Sequence, residues 1–222
     1  MSIIRGVILD VDGTLVDSND AHAAAWVEAC AEHGYTVSFE RVRALIGMGG
    51  DKLLPAAIDI EKDSPTGKAI EESRTRIFKT RYLPKLGPFP DAHELLQAMR
   101  DHGLRLVVAS SAKEDELKPM LELCGANGLI EEETSSKDAP QSKPAPDIVQ
   151  AALDRLKLPT DEVIMLGDTP YDVEAATKAH IATIAVRCGG WSDEDLQGAI
   201  AIYDAPAALL AEYDRSPFNR RS

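Results

Sequence analysis

The sequence predicts an α/β protein: a doubly wound parallel sheet, interrupted after its first strand by an all-helical insertion. Short apolar runs rich in β-branched residues, at 3–9, 104–109, 162–166 and 182–186, alternate with helical patterns as buried parallel strands do. The first three runs end on polar residues: Asp10-Val11-Asp12-Gly13-Thr14, Ser110, and Gly167-Asp168 with Asp172 four further on. Residues 17–87, by contrast, carry helical patterning and no convincing strand. Ligands of open α/β sheets bind at the carboxyl ends of strands, near a switch in strand order. Polar residues at several such ends predict an active site, and carboxylates crowded there call for a cation.

After the first strand, Asp17-Ser18-Asn19 offers N-caps for a helix running to about His33, with Gly34 at the C′ position. Helical patterning continues over 38–85, broken at Gly47-Met48-Gly49-Gly50 and around Ser64-Pro65-Thr66-Gly67. Gly87-Pro88-Phe89-Pro90 reads as a hinge. Then follow helix 91–102, strand 104–109, helix 113–124, an extended segment near 128–131, helix 145–157, strand 162–166, helix 171–180, strand 182–186 and a last strand at 199–203. Residues 214–222 read as a frayed tail. The first strand cannot bury its apolar residues alone and must join this sheet. The expected domains are therefore 1–16 with 88–222, and the insertion 17–87.

No apolar stretch among the 222 residues approaches the ~20 needed to span a bilayer. The first strand begins so early that no signal peptide is expected. Cys30, Cys124 and Cys188 are odd in number and scattered, which suits reduced thiols in a cytoplasmic protein. A net charge of −13 disfavours nucleic acid and anionic membranes as partners. The insertion is nearly neutral, with 10 Lys/Arg against 11 Asp/Glu, so almost all the negative charge lies outside it. Its closing cations Arg74, Arg76, Lys79, Arg81 and Lys85 read mainly as a solvated helix face; an anionic substrate would be drawn there rather than to the acidic body.

DVDGTL after the first strand, Ser110 ending the second, Lys143 in SKPAPD and GDTPYD after the fourth resemble, in order, the four motifs of the haloacid dehalogenase-like (HAD) superfamily. The likeness spans nearly the whole chain. An inserted helical cap between the first two motifs resembles the subclass of phosphoglycolate phosphatase and β-phosphoglucomutase-like enzymes. The fold it implies is a Rossmann-like core with a helical cap. A phosphate monoester dianion repels nucleophiles, so its hydrolysis needs charge neutralisation and positioning. The resemblance implies that Asp10 attacks phosphorus to form an aspartyl-phosphate, and that Asp12 protonates the leaving group and then activates water. Both can reach one phosphoryl group only if the strand has ended and turned at Val11, a turn Gly13 permits.

By the same resemblance Mg²⁺ is the cofactor, held by Asp10, the backbone carbonyl of Asp12, Asp168 and Asp172, the last directly or through water. Asp172 also suits the N-terminal charge of a helix. Ser110 would donate to a phosphoryl oxygen and Lys143 would lower repulsion between phosphoryl group and Asp10. Ser111 stands where free N–H groups can bind an anion, but it is read in preference as a plain helix N-cap. Gly13 and Thr14 belong to the same phosphate-facing loop. In the insertion, Gly49 and Lys52 resemble a specificity loop, and His22 lies where β-phosphoglucomutases carry a functional histidine; a turn, a solvated lysine and a packed histidine are the alternatives.

The expected enzyme is a Mg²⁺-dependent phosphatase of small phosphorylated metabolites, monomeric or homodimeric. Asp12 favours phosphoryl transfer, because dehalogenases proper lack that second aspartate. A sugar phosphomutase is the alternative, but Gly50 stands where mutases have a phosphate-gripping arginine, and Gly167 where they usually have an acid. A non-catalytic phosphate-sensing module is a third reading, disfavoured because a retired site has no need of clustered like charges. A receiver domain is more distant still, given the insertion and the DVDGT spacing.

Overall fold

A computed structural model describes residues 3–219. Six strands form one parallel sheet: β1 (Gly6–Leu9), β2 (Arg105–Ala109), β3 (Glu132–Thr134), β4 (Val163–Gly167), β5 (Ala182–Val186) and β6 (Ala201–Tyr203). Their order is β3-β2-β1-β4-β5-β6. The chain thus builds outward from β1 to one edge, then returns to β1's other side and builds toward the opposite edge. β1 lies between β2 and β4, with Leu9 level with Val108 on one side and Leu166 on the other. This reversal is the switch point at which the polar strand ends were expected to meet.

Two compact units divide the described residues: Ser18–Leu86, and the segments on either side of it. The first holds α1 (Asn19–Glu32), α2 (Phe39–Arg43), α3 (Gly50–Ile58), α4 (Pro65–Ile77) and a π-turn over Phe78–Tyr82, with no strand. The second carries the sheet with α5 (Ala92–Asp101), α6 (Glu114–Leu123), α7 (Asp147–Leu156), α8 (Pro170–Lys178) and α9 (Pro206–Ala211). Ile8, Val107 and Met165 on three adjacent strands pack with Val149, Ala152 and Leu156 of α7 and Ala175 and Ala176 of α8. No helix among the described residues is long and apolar enough to cross a membrane.

Several local expectations change. Gly128 takes φ +80° and turns the chain, so the extended segment expected at 128–131 forms later, as β3. That strand is short and acidic, a composition that discourages further pairing at a sheet edge. The expected break at Ser64-Pro65-Thr66-Gly67 is a helix start, where Ser64 Oγ accepts the Gly67 N–H and Pro65 opens α4. Ser18 occupies the N-cap of α1, but its φ/ψ of −123°/−13° is not extended and its side chain makes no capping bond. Gly34 follows the helix at φ +83°, as expected. The tail is not frayed over 214–219: short turns at Tyr213–Arg215 and Pro217–Asn219 bury Tyr213 and Phe218, because these rings have an apolar place to go. Residues 220–222 lie outside the described part.

Ile8 is fully buried on the central strand. Ile8→Ala should therefore lower the unfolding free energy by about 2–5 kcal/mol, measured by equilibrium denaturant titration.

Candidate active site

β1 hands its last ladder bond across the switch point, from the Asp10 N–H to the Leu166 carbonyl (2.9 Å). Beyond it the chain turns tightly. Gly13 adopts φ +74°, and the N–H groups of Thr14, Leu15 and Val16 all point to the Val11 carbonyl at 3.3, 2.9 and 3.0 Å. The turn foreseen after Val11 therefore exists, and it folds Thr14 back toward β4. The Thr14 hydroxyl donates to Asp168 Oδ1 at 3.0 Å and lies 3.4 Å from Asp10 Oδ2.

Asp168 and Asp172 leave β4 and enter α8. Thr169 caps that helix: its Oγ1 accepts the Asp172 N–H (3.2 Å), while its own N–H and hydroxyl donate to Asp172 Oδ2 (3.0 and 2.7 Å). This reciprocal cap fixes the Asp172 carboxylate with one oxygen engaged. The other oxygen, Oδ1, lies 2.8 Å from Lys143 Nζ. The two readings of Asp172, helix-terminal charge and site acid, are thus served by different oxygens of one side chain. Gly167 leaves room for it: a Cβ there would lie 2.7 Å from both Cβ and Cγ of Asp172.

Lys143 precedes α7 and is buried, a rare state for a lysine. Its ammonium meets Asp10 Oδ1 at 2.5 Å and Asp172 at 2.8 Å. Asp10, Asp168 and Asp172 each present an oxygen within 4.8 Å of the other two. Burial pushes the Asp10 carboxyl up to about 7; Lys143 opposes this, and Asp172 and Asp12 add to it. Burial alone would depress Lys143, but the two carboxylates hold its ammonium above the usual lysine range. Three acids against one ammonium leave net negative charge in a dry place, and a hard divalent cation fits such an all-oxygen donor set.

Ser110 leaves β2 with its hydroxyl oxygen accepting the Ala112 N–H at 3.0 Å. Ser111 is not a helix cap: α6 starts at Glu114 with Lys113 at its N-cap, because the Ser110–Ala112 turn comes first. The Ser111 hydroxyl is buried without a hydrogen-bond partner among the described residues. Asp12 is half-buried, and its side chain is not part of the three-acid group. In the inserted unit, Gly49 is the N-cap of α3 and Lys52 lies in that helix's first turn. His22 is buried, stacked on Phe78 at 4.0 Å, with Arg74 donating to its Nδ1 at 2.6 Å. Arg74 does not belong to a solvated face, since its guanidinium lies over the rings of Trp26 and Phe78. Its neighbours Arg76 and Arg81 do sit outward, paired with Glu32 and Glu28 of α1.

Thr169 and Gly189 were not singled out from the sequence. Thr169-Pro170-Tyr171-Asp172 carries a capping-box pattern that could have marked the first. Nothing local marks Gly189, which approaches Asp168 only in three dimensions.

The ends of the central strands β1 and β4 thus bring Asp10 and Asp168 together with Asp172 at the start of α8 and with the buried Lys143 that precedes α7. The model of the haloacid dehalogenase-like hydrolase family matches residues 7–186, and the chain belongs to that family. With the family goes the class expected from the four motifs, a phosphoric monoester hydrolase. A phosphoglycolate phosphatase of Rhodospirillum rubrum is 30% identical over 215 residues, covering 92% of this chain and 89% of its own. An N-acetylmuramic acid 6-phosphate phosphatase of Pseudomonas aeruginosa is 27% identical over 217 residues, covering 96% of each. The crystal structure of a hydrolase from Pseudomonas syringae superposes with a TM-score of 0.87 at 27% identity, covering 95% of this chain and 98% of that one.

A carboxyl whose folded-state pKa exceeds its unfolded value holds its proton more tightly in the fold, so ionising it costs stability. For Asp10 this cost grows as pH rises from about 4 toward about 7. In chelator, the stability of Asp10→Asn relative to the parent should therefore rise as pH rises from 4 to 8, read from denaturation midpoints across pH.

Proposed function

We propose that this protein is a Mg²⁺-dependent phosphatase that hydrolyses a small phosphorylated metabolite through an aspartyl-phosphate at Asp10. The observation that carries the reading is Lys143 buried between Asp10 and Asp172, with Asp168 beside them. An ammonium on the nucleophile's own oxygen is the arrangement needed to bring an anionic nucleophile to an anionic phosphoryl group.

In the first step an Asp10 oxygen forms a bond to phosphorus as the bond from phosphorus to the leaving oxygen breaks. Asp12 gives that oxygen its proton, so the alcohol departs neutral. In the second step Asp12, now a carboxylate, takes a proton from water as the water oxygen attacks phosphorus. The bond to Asp10 breaks, inorganic phosphate leaves, and both acids return to their starting states. Lys143 offsets charge on Asp10 and the phosphoryl oxygens throughout, and Ser110 donates its hydroxyl to one of those oxygens. Asp10, Asp168, the Asp12 carbonyl and, directly or through water, Asp172 would hold Mg²⁺, which would supply charge neutralisation on the phosphoryl group. We assign choice of the organic group to the inserted unit, with Gly49 and Lys52 as contacts; His22, buried against Phe78 and hydrogen-bonded to Arg74, fits the packed-histidine alternative instead. The three cysteines are all free thiols, which supports a reducing, cytoplasmic setting.

Asp10→Asn should lower phosphate release by at least about 10³-fold while circular dichroism stays unchanged, since the attacking carboxylate is removed. Asp12→Asn should slow an alkyl phosphate by about 10²–10⁴-fold. With p-nitrophenyl phosphate, whose leaving group needs no proton, the same variant should give a burst of nitrophenol followed by slow turnover. Full activity in Asp10→Asn contradicts the nucleophile assignment, and equal loss on both substrates without a burst contradicts the role of Asp12. Formation of an isomerised sugar phosphate in place of free phosphate would point to a mutase.

A further inference from the structure

Asp168 sits at the end of β4, and in this sheet β4 runs between β1 and β5. The segments leaving both neighbours therefore pass on either side of its carboxylate. From the β1 side comes Thr14, fully buried, whose hydroxyl donates to Oδ1 at 3.0 Å. From the β5 side comes the turn Arg187–Gly189. At Gly189 an added Cβ would lie 1.7 Å from Asp168 Oδ2, 2.4 Å from its Cγ and 2.6 Å from its Cβ. Oδ2 thus occupies the space that any other residue's side chain would fill.

The turn that presents Gly189 is anchored by its first two residues. Arg187 pairs with Asp193 at 2.5 Å and Asp204 at 2.7 Å on the outside of the sheet unit. Cys188 donates its thiol to the Gly13 carbonyl at 3.3 Å, tying the turn to the loop that carries Thr14. Burial, with Asp168 adding to it, pushes the Cys188 thiol up to about 12, so it stays a neutral donor. The two flanks of Asp168 are therefore fixed to each other as well as to their own strands.

We propose that Gly189 and Thr14 are positioning residues that hold the Asp168 carboxylate from opposite sides and so set the affinity of the site for its divalent cation. The proposal rests on the metal reading given above. The Thr14 hydroxyl holds one oxygen by a hydrogen bond. Gly189 acts by having no side chain, leaving the other oxygen a place against the backbone. Gly189 has no positive φ, so alanine suits its backbone, and the three nearest atoms its Cβ would meet all belong to Asp168. Thr14, expected from the sequence to touch substrate, is here given a different duty, one that acts through Asp168.

The test is calorimetric titration of Mg²⁺ into substrate-free protein for the parent, Gly189→Ala, Thr14→Val and Thr14→Ser. Disturbing groups that orient a metal ligand costs about 10–100-fold in affinity, and that weakening is expected for Gly189→Ala and Thr14→Val. Thr14→Ser keeps the hydroxyl and should bind like the parent, a rescue that loss of packing alone would not give. Parent-like affinity in folded Gly189→Ala or in Thr14→Val overturns the proposal. Should Gly189→Ala fail to fold, the comparison of Thr14→Val with Thr14→Ser decides by itself. A parent that binds no Mg²⁺ in the same titration would instead remove the metal reading beneath it.

Discussion

The ion pairs of Lys143 with Asp10 and Asp172 hold the site together, and the surplus of carboxylate around them gives it its chemistry. Two unit charges 4 Å apart interact by about 4 kcal/mol at an effective dielectric near 20, so each like-charge pair in this crevice is a sizeable cost. Lys143 can offset only part of it. The remainder appears as the upward push on the Asp10 carboxyl, which burial begins and Asp172 and Asp12 extend. In the proposed mechanism Asp10 must be ionised to attack, and a divalent cation held by the three acids would lower that cost and would favour an anionic ester.

The sheet order makes this convergence possible. Because β1 is central, its exit is flanked by those of β2 and β4, and the exit of β4 is flanked in turn by that of β5. Residues as distant in the chain as Thr14, Asp168 and Gly189 become neighbours by strand order alone. Backbone capping then supplies the fine placement: the Thr169 cap leaves Asp172 one oxygen for Lys143, and the Gly13 turn aims Thr14 at Asp168. The inserted unit has its own order, with His22, Phe78, Trp26 and Arg74 forming a stacked aromatic and cationic cluster within it.

Much of this was legible in the sequence because it is local. An apolar run that stops at a carboxylate announces both the strand and the place where acids gather, and Asp10 and Asp168, which the structure brings together, stand at two such ends. Lys143 was legible through its setting before Pro144, although burial of its ammonium was not. What escaped was what depends on contacts between distant segments. Gly189 matters only because β5 lies beside β4. Arg74 looked like one more outward cation, yet two rings of its own unit take it in. The apolar Leu129 and Ile130 suggested a strand that Gly128 turns aside, while the actual strand is acidic and lies at the edge. Tyr213 and Phe218 bury a tail whose composition looked unconstrained.

The most direct measurement is rapid acid quench of the protein mixed with a phosphorylated substrate and Mg²⁺, followed by peptide mass mapping. The account predicts one phosphoryl group on the peptide containing Asp10, formed and lost at rates matching turnover. Phosphate release with Asp10 never modified, or with the phosphoryl group on another residue, would contradict it.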